Sequence, residues 1–300
     1  MSIDTTTRVQ HVPTRSERLI RAFKRTGWRH LVAWVLCAFA LMPLIYVLSA
    51  ALNPRGTLTG SNRLFRAVGL DSFERLLASD QYPFLVWFKN SLVVGLTTAV
   101  LSVFLGAMAA YAFSRMRFKG RRMGLLSLVL VQMFPQLLAV VAIFTLLTKI
   151  GEIVPAIGLN THAGLIAVYL GAALGVNTYL MYGFFNTVPA EIDEAAKIDG
   201  AGHARIFFTI ILRLAAPILA VVSLLSFIAS FNDFVIASVV LIDSDKQTLA
   251  VGLYRMVSNA NYADWSAFAA GAVLASLPVL VLFLFLQRYI VSGLTAGSIK

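Results

Sequence analysis

The chain has one cysteine, four histidines and few charges: only 13% of its 300 residues are Asp, Glu, Lys or Arg. Each scarcity excludes a class of protein. A lone Cys37 can form neither an intrachain disulfide nor a cysteine-based zinc cluster. His11, His30, His162 and His203 are scattered without metal-ligand spacing. No Gly-Lys dipeptide occurs anywhere, so a phosphate-cradling loop of the Walker type cannot be written and ATP, if used, is handled elsewhere. Residues 1–30 contain no apolar core of the kind a cleavable leader carries, so the first apolar segment is expected to stay in the mature chain.

Apolar side chains take the place of charge. They make up 59% of the chain, with a mean hydropathy of +0.80, far outside the range of a soluble domain. A helix crosses the hydrocarbon layer in roughly 20 residues. Six stretches are long enough: 31–52, 88–113, 123–147, 163–185, 214–241 and 268–289. The expected fold class is therefore an all-α integral membrane protein of six transmembrane helices, with both termini on one side. Its expected divisions are a basic segment 1–30, a membrane domain 31–289 and a tail 290–300.

A net charge of +11 would suit nucleic acid, but its distribution speaks for a bilayer instead. Arg15, Arg18, Arg21, Lys24, Arg25 and Arg29 precede the first span, and Arg115, Arg117, Lys119, Arg121 and Arg122 crowd the link between the second and third. Most of the 25 basic residues thus fall on one side, which the positive-inside rule makes cytoplasmic. The opposite links are poorer in charge. They carry turn signals at Asn53-Pro54-Arg55-Gly56, at Gly158 and Asn160, and in the 242–267 segment, which holds Asn259, Asn261 and Tyr262. By composition these are connectors or surfaces for an outer partner.

The link 187–213 differs in kind. Pro189 suits a helix start, and Glu191, Asp193 and Glu194 follow where acids complement the dipole, so a short helix is expected from about Ala190. Ile192, Ala195, Ala196 and Asp199 fall at i, i+3, i+4 and i+7, a narrow face with small residues at its middle that lets another protein approach. Gly200 lets the chain turn. The run from Ile206 to Ile211 returns it to the bilayer, and Pro217 marks the entry to the fifth span.

Glu194-Ala195-Ala196, then Gly200, Ile210 and Leu212, resembles the EAA signature of permease subunits in binding-protein-dependent ABC importers. Tyr111 to Phe118, Gln132-Met133-Phe134-Pro135, Gly158 to His162, and Gln287 through Gly297 sharpen the likeness to the MalG-type permeases of maltose importers. One departure is Arg213, where that family usually has Pro after the Leu of the signature. The resemblance implies the type I importer fold in a bacterial inner membrane. It also implies a second, MalF-like permease, two ATPase subunits that hold the ATP and Mg²⁺, an extracytoplasmic sugar-binding protein, and a sugar as cargo. No catalytic residue is expected in this chain. Glu194, Ala195, Ala196, Gly200, Ile210 and Leu212 would couple to the ATPase. The tail residues Gly293, Leu294, Thr295, Ala296 and Gly297, which composition alone reads as a frayed end, would insert between the ATPase subunits. Asn259, Asn261 and Tyr262 would meet the binding protein.

Polar side chains inside apolar spans are costly unless they face a cavity or a partner. Asn232 and Asp233 interrupt the fifth span, Gln132 and Gln136 flank Pro135 in the third, and Asn177, Tyr179 and Tyr182 lie along the fourth. Gln132, Asn177, Tyr179, Asn232 and Asp233 are the candidates to line a path, with a hydrogen bond to a neighbouring helix as the alternative for Asp233. Amides and rings suit a sugar's hydroxyls and CH faces, although in maltose-type importers the partner permease supplies most sugar contacts. An ion-gradient carrier using Asp233 would explain that acid and leave the charged 187–213 link unexplained. A membrane-embedded enzyme would need a convergent acid, base or metal set, and none is legible.

Overall fold

The computed structural model describes residues 23–54, 64–79, 81–258 and 264–296, the last six as backbone. Those residues form an all-α bundle. Helix α1 (Trp28–Ala51) is followed by the short α2 (Asp71–Leu77), then α3 (Phe84–Arg115), α4 (Arg121–Gln132), α5 (Gln136–Ile153) and α6 (His162–Phe185). A hairpin at the basic end follows: α7 (Ala190–Ile198) and α8 (His203–Leu214), the latter with a π-helical turn over Phe207–Ile211. The chain ends with α9 (Ala216–Asn232), α10 (Val235–Val240), α11 (Leu249–Ser258) and α12 (Trp265–Ala296). Among the described residues, five helices are long and apolar enough to cross a membrane, and α8 with α9, bent by 80°, makes a sixth if the pair is one span.

Two of the six expected spans are broken, and the breaks have identifiable causes. The third divides into α4 and α5 because Pro135 lacks an N–H and pushes Phe134 away from helical geometry. The fifth stops at Asn232, and Asp233 takes an extended conformation (φ −67°, ψ 126°) before α10 resumes. The Asp233 carboxylate accepts a hydrogen bond from the Ala237 N–H at 3.0 Å, closing an otherwise open donor at the start of α10.

Helix α3 is the central rod of the bundle, packed most extensively against α6 and α9. Between helices in lipid the hydrophobic effect gives little drive, and close packing of small residues replaces it. Gly95, Ala99, Ser102, Gly106 and Ala110 form one buried stripe along α3, at spacings that share a helix face. At Gly95 a Cβ would come within 3.0 Å of the Phe227 ring on α9, so the absence of a side chain sets that separation. By contrast α1 contacts chiefly α12 and leaves Leu31, Trp34, Phe39 and Met42 exposed on its outer face, as hydrocarbon on that side permits.

The links opposite the basic end are more ordered than connectors. Helix α11 lies within the 242–267 segment and buries Leu249, Val251, Leu253 and Met256. The stretch leading into it is pinned to α3: Trp87 Nε1 donates to the Ser244 carbonyl at 2.7 Å, and Asn90 Nδ2 to the carbonyls of Asp245 and Gln247. The Leu249 N–H donates to Ser91 Oγ at 2.7 Å. Asn259, Asn261 and Tyr262 lie outside the described residues, as does Gly297. Backbone that composition assigns to a frayed end from Ser292 is helical as far as Ala296. Extending an existing helix by one residue is far easier than nucleating one, and Gly293 alone does not stop it.

Candidate functional site

Two sites emerge, one within the bundle and one at its basic end. The first is a cavity of about 300 Å³ between α3, α4, α6 and α9. Three of the five path candidates line it: Gln132, Asn177 and Asp233, joined by Gln136. Asp233 accepts a 2.8 Å hydrogen bond from the Tyr169 hydroxyl of α6 in addition to its bond from α10. The cross-helix bond and the cavity are therefore both true of this acid. Asn177 Nδ2 donates to Ser226 Oγ at 2.8 Å, while Gln132 Nε2 reaches the Ala172 carbonyl at 2.8 Å. Gly175 permits that approach, since a Cβ there would stand 2.5 Å from Gln132 Nε2.

The other two candidates go elsewhere. Tyr179 is more than half exposed, because two positions along α6 from Asn177 turn it about 200° to the other side. Asn232, the last residue of α9, lines a separate apolar hollow with Phe231, Phe234 and Tyr254. Some cavity residues escape a reading of the sequence. Tyr169 is a single hydroxyl in its apolar run and Thr98 one of an adjacent threonine pair, neither a distinguishing signal, whereas Ser226 and Ser230 at i and i+4 in an apolar span offer one. Ser230 is satisfied by the Ser226 carbonyl at 2.8 Å. Thr98 Oγ1 is buried with no hydrogen-bond partner among the described residues. Among the described residues, the polar groups that line the cavity include one carboxylate and no Lys, Arg or His.

At the basic end, α7 begins after Pro189 as expected, but its faces are not those the 192/195/196/199 spacing suggests. Ile192 and Ala196 turn inward with Asp193, whereas Ala195 and Asp199 are exposed. The inward stripe is stabilised by a cluster in which Ala196, Ile206, Phe207 and Ile211 pack on Ala107, Ala110 and Tyr111 of α3, with Ile210 and Leu212 against its edge. The outward stripe is Glu191, Glu194, Ala195 and Ile198, and Ile198 is 87% exposed. Of the six signature residues, then, Glu194 and Ala195 face out, Ala196, Ile210 and Leu212 hold the hairpin together, and Gly200 makes its turn at φ +82°. Only glycine takes that conformation without strain. Arg213 is exposed at the end of the hairpin.

A second opening, about 620 Å³, lies beneath α7 between the hairpin and α3. There the Arg115 guanidinium and the Asp193 carboxylate form an ion pair whose side chains are 11% and 5% exposed. Arg115 Nη2 also donates to the Val188 carbonyl at 2.8 Å. Ser114 Oγ bonds Asn186 Oδ1 at 3.0 Å, and the Tyr111 hydroxyl meets His203 Nδ1 at 3.2 Å. In the sequence, topology accounts for Arg115 and the helix dipole for Asp193, and neither role reveals that they meet.

Residues 102–296 match the profile of the binding-protein-dependent transport system inner membrane component family. Among curated relatives, the maltodextrin transport system permease protein MdxG of Bacillus subtilis is 41% identical over 90% of this chain and 95% of its own length. The maltose/maltodextrin permease MalG of Photorhabdus laumondii is 39% identical over 92% and 98%. The galactooligosaccharide permease GanQ of Bacillus subtilis is 38% identical over 94% and 98%. A solved bacterial ABC transporter that imports the acidic polysaccharide alginate aligns with a TM-score of 0.71 at 25% identity, covering 93% of this chain and 99% of the other. Together with the apolar spans, these likenesses place the chain in the inner membrane as a multi-pass protein: it belongs to the inner-membrane permease components of binding-protein-dependent ABC transport systems.

Proposed function

We propose that the chain is one of two permeases of an ATP-driven importer for a neutral oligosaccharide of the maltodextrin class, with both termini in the cytoplasm. The observation that carries this reading is the pairing, in one chain, of a cavity within the bundle that has a few polar groups in its wall and an outward helical stripe at the basic end. Glu191, Glu194, Ala195 and Ile198 offer the ATPase an exposed acidic and apolar surface, with Gly200 turning the hairpin behind it. ATP and Mg²⁺ belong to two partner ATPase subunits. The tail through Gly297 lies between those subunits, and Asn259, Asn261 and Tyr262 meet an extracytoplasmic binding protein.

The cargo class rests on chemistry as well as on the relatives' names. Thr98, Gln132, Gln136 and Asn177 supply hydroxyl and amide groups, and the remaining wall is largely small and aliphatic, a lining that suits a polyhydroxyl solute with CH faces. Asp233 as the cavity's single charged group favours neutral sugars, because an acidic sugar would meet like charge in a low-dielectric site. The alignable alginate importer handles the opposite class. Alternating access then follows as a rocking of the two permeases when the ATPase dimer closes.

Purified complex in liposomes, with labelled maltotriose and a maltodextrin-binding protein, tests this. Uptake should need both ATP and the binding protein. Accumulation driven by an ion gradient without the ATPase, or none with any neutral oligosaccharide, overturns the reading.

A further inference from the structure

We propose that the buried Arg115–Asp193 pair is the mechanical tie through which the coupling hairpin moves α3, and that α3 carries that displacement to the cavity and on to the outer link. The tie rests on the importer reading above and adds to it the residues that transmit the stroke.

Apolar contact alone fixes the hairpin poorly. Apart from the Tyr111–His203 contact to α8, the side chains between α7, α8 and α3 are mainly Ala, Ile and Phe, and such surfaces resist separation better than they resist sliding, because dispersion is weakly directional. Arg115 adds two polar attachments, a buried ion pair and a hydrogen bond. One reaches Asp193 in the middle of α7, and the other reaches the carbonyl of Val188, just before the helix begins. One attachment on the helix and one at its entry set its rotation and its register together. Removing either partner leaves the other charge buried without compensation, which is far more costly than loss of a surface pair. The hairpin is thereby held as a rigid extension of α3.

Arg115 is the last residue of α3, and that helix runs without interruption for 32 residues. Thr98 lies 17 positions earlier on the same rod, about 25 Å away at 1.5 Å per residue, and lines the cavity. Two to three turns beyond it, Ser91, Asn90 and Trp87 hold the link into α11. The same helix thus touches the hairpin, the cavity and the far rim. A displacement applied to α7 reaches all three if the grip at Arg115 holds, and is dissipated in the hairpin if it does not.

The test uses the full complex in liposomes with maltotriose as probe, and reads sugar accumulated per ATP hydrolysed. Asp193→Asn and Arg115→Lys should each lower that ratio about tenfold, within the usual span of site-to-site coupling, while the complex is recovered intact and hydrolysis without binding protein is unchanged. Exchange of the pair, Arg115→Asp with Asp193→Arg, should restore several-fold of the loss. A ratio unchanged in the single variants, or uptake and hydrolysis lost in parallel, overturns the tie. If Asp193→Asn does not assemble, Arg115→Lys decides: it keeps the charge but loses the planar fork whose Nε faces Asp193 and whose Nη2 reaches Val188, and a normal ratio there overturns the proposal. A wild-type complex whose ATP hydrolysis drives no uptake overturns the importer reading and the tie together, whereas a coupled wild type with coupled variants overturns the tie alone.

Discussion

Two aspartates sit within this bundle, and they are held in opposite ways. Asp193, 4% exposed, meets a guanidinium. Asp233, half-buried, has among the described residues only neutral donors, a tyrosine hydroxyl and a backbone N–H. An ion pair suits a joint, because its partners are costly to separate and their geometry is fixed. Neutral donors suit a cavity, since they orient a carboxylate while leaving its charge uncompensated toward the space beside it. The difference separates the part of the chain built to transmit force from the part built to face a solute.

The largest effect expected from breaking this contrast is on stability. Asp193→Ala leaves Arg115 charged and buried, and should destabilise the complex by about 3–5 kcal/mol. Asp233→Ala removes two hydrogen bonds from neutral donors, one of them at the start of α10, leaves no buried charge behind, and should cost about 1–2 kcal/mol. Titration of the purified complex with SDS compares the two, and equal losses would erase the distinction. Transport should sharpen it further. Asp233→Asn keeps an oxygen for Tyr169 and for the cap, and Asn caps about as well as Asp, so maltotriose uptake should stay within about threefold of wild type. Asp233→Lys abolishes both bonds and reverses the charge of the cavity; uptake of a neutral sugar should fall more than about tenfold by the same loss of cap and acceptor.

Gly200 is the next step down. Nothing lies within 4 Å of the place a Cβ would occupy, so only its φ of +82° opposes a side chain. Gly200→Ala should cost about 1–2 kcal/mol, and Gly200→Asn less, because Asn tolerates that region. Sugar carried per ATP should follow the same order, with Gly200→Leu inserted in the membrane but poorly coupled. Full coupling in the Leu variant would mean the turn is dispensable.

Fold and hairpin are legible in the sequence to different depths. Hydropathy locates all six apolar regions because a span must be long and apolar whatever it packs against. Pro135 announces a kink, and the outcome is a full break; Asp233 announces a polar point, but not that it ends α9 and caps α10. The start of α7 is readable from Pro189 and the acids after it, whereas its orientation is not. Ala195 and Ala196 are equally small, and only the packing of α8 and α3 decides which turns inward. The Arg115–Asp193 pair joins residues far apart in sequence, each of which has a sufficient local explanation. Helix α11 is hidden for a related reason: in a chain this apolar, its ten residues stand out too little from the spans around them.

A third aspartate, at the rim opposite the basic end, completes the series. Asp243 is exposed and has both kinds of partner: Asn160 Nδ2 donates to its Oδ2, and Lys246 Nζ stands 3.2 Å from the same oxygen. The Asn160 amide first, and Lys246 second, hold its carboxyl below the ordinary 3.8. A depressed folded-state value means that the carboxylate's contribution is present above the unfolded pKa and is lost as pH falls through the lower folded one. The effect is screened by water and salt, so it should be the smallest of the series. Asn160 itself sits at φ +60° and accepts the N–H groups of Ile242 and Asp243, joining the link before α6 to the one after α10. Carboxyl NMR of the purified chain should show Asp243 titrating below the usual aspartate range. Asn160→Ala should move it up more than Lys246→Ala does, since the amide is the larger cause and its loss also frees the two backbone donors. The reverse order would make charge, rather than the amide clasp, the organiser of this rim, as it is at Asp193.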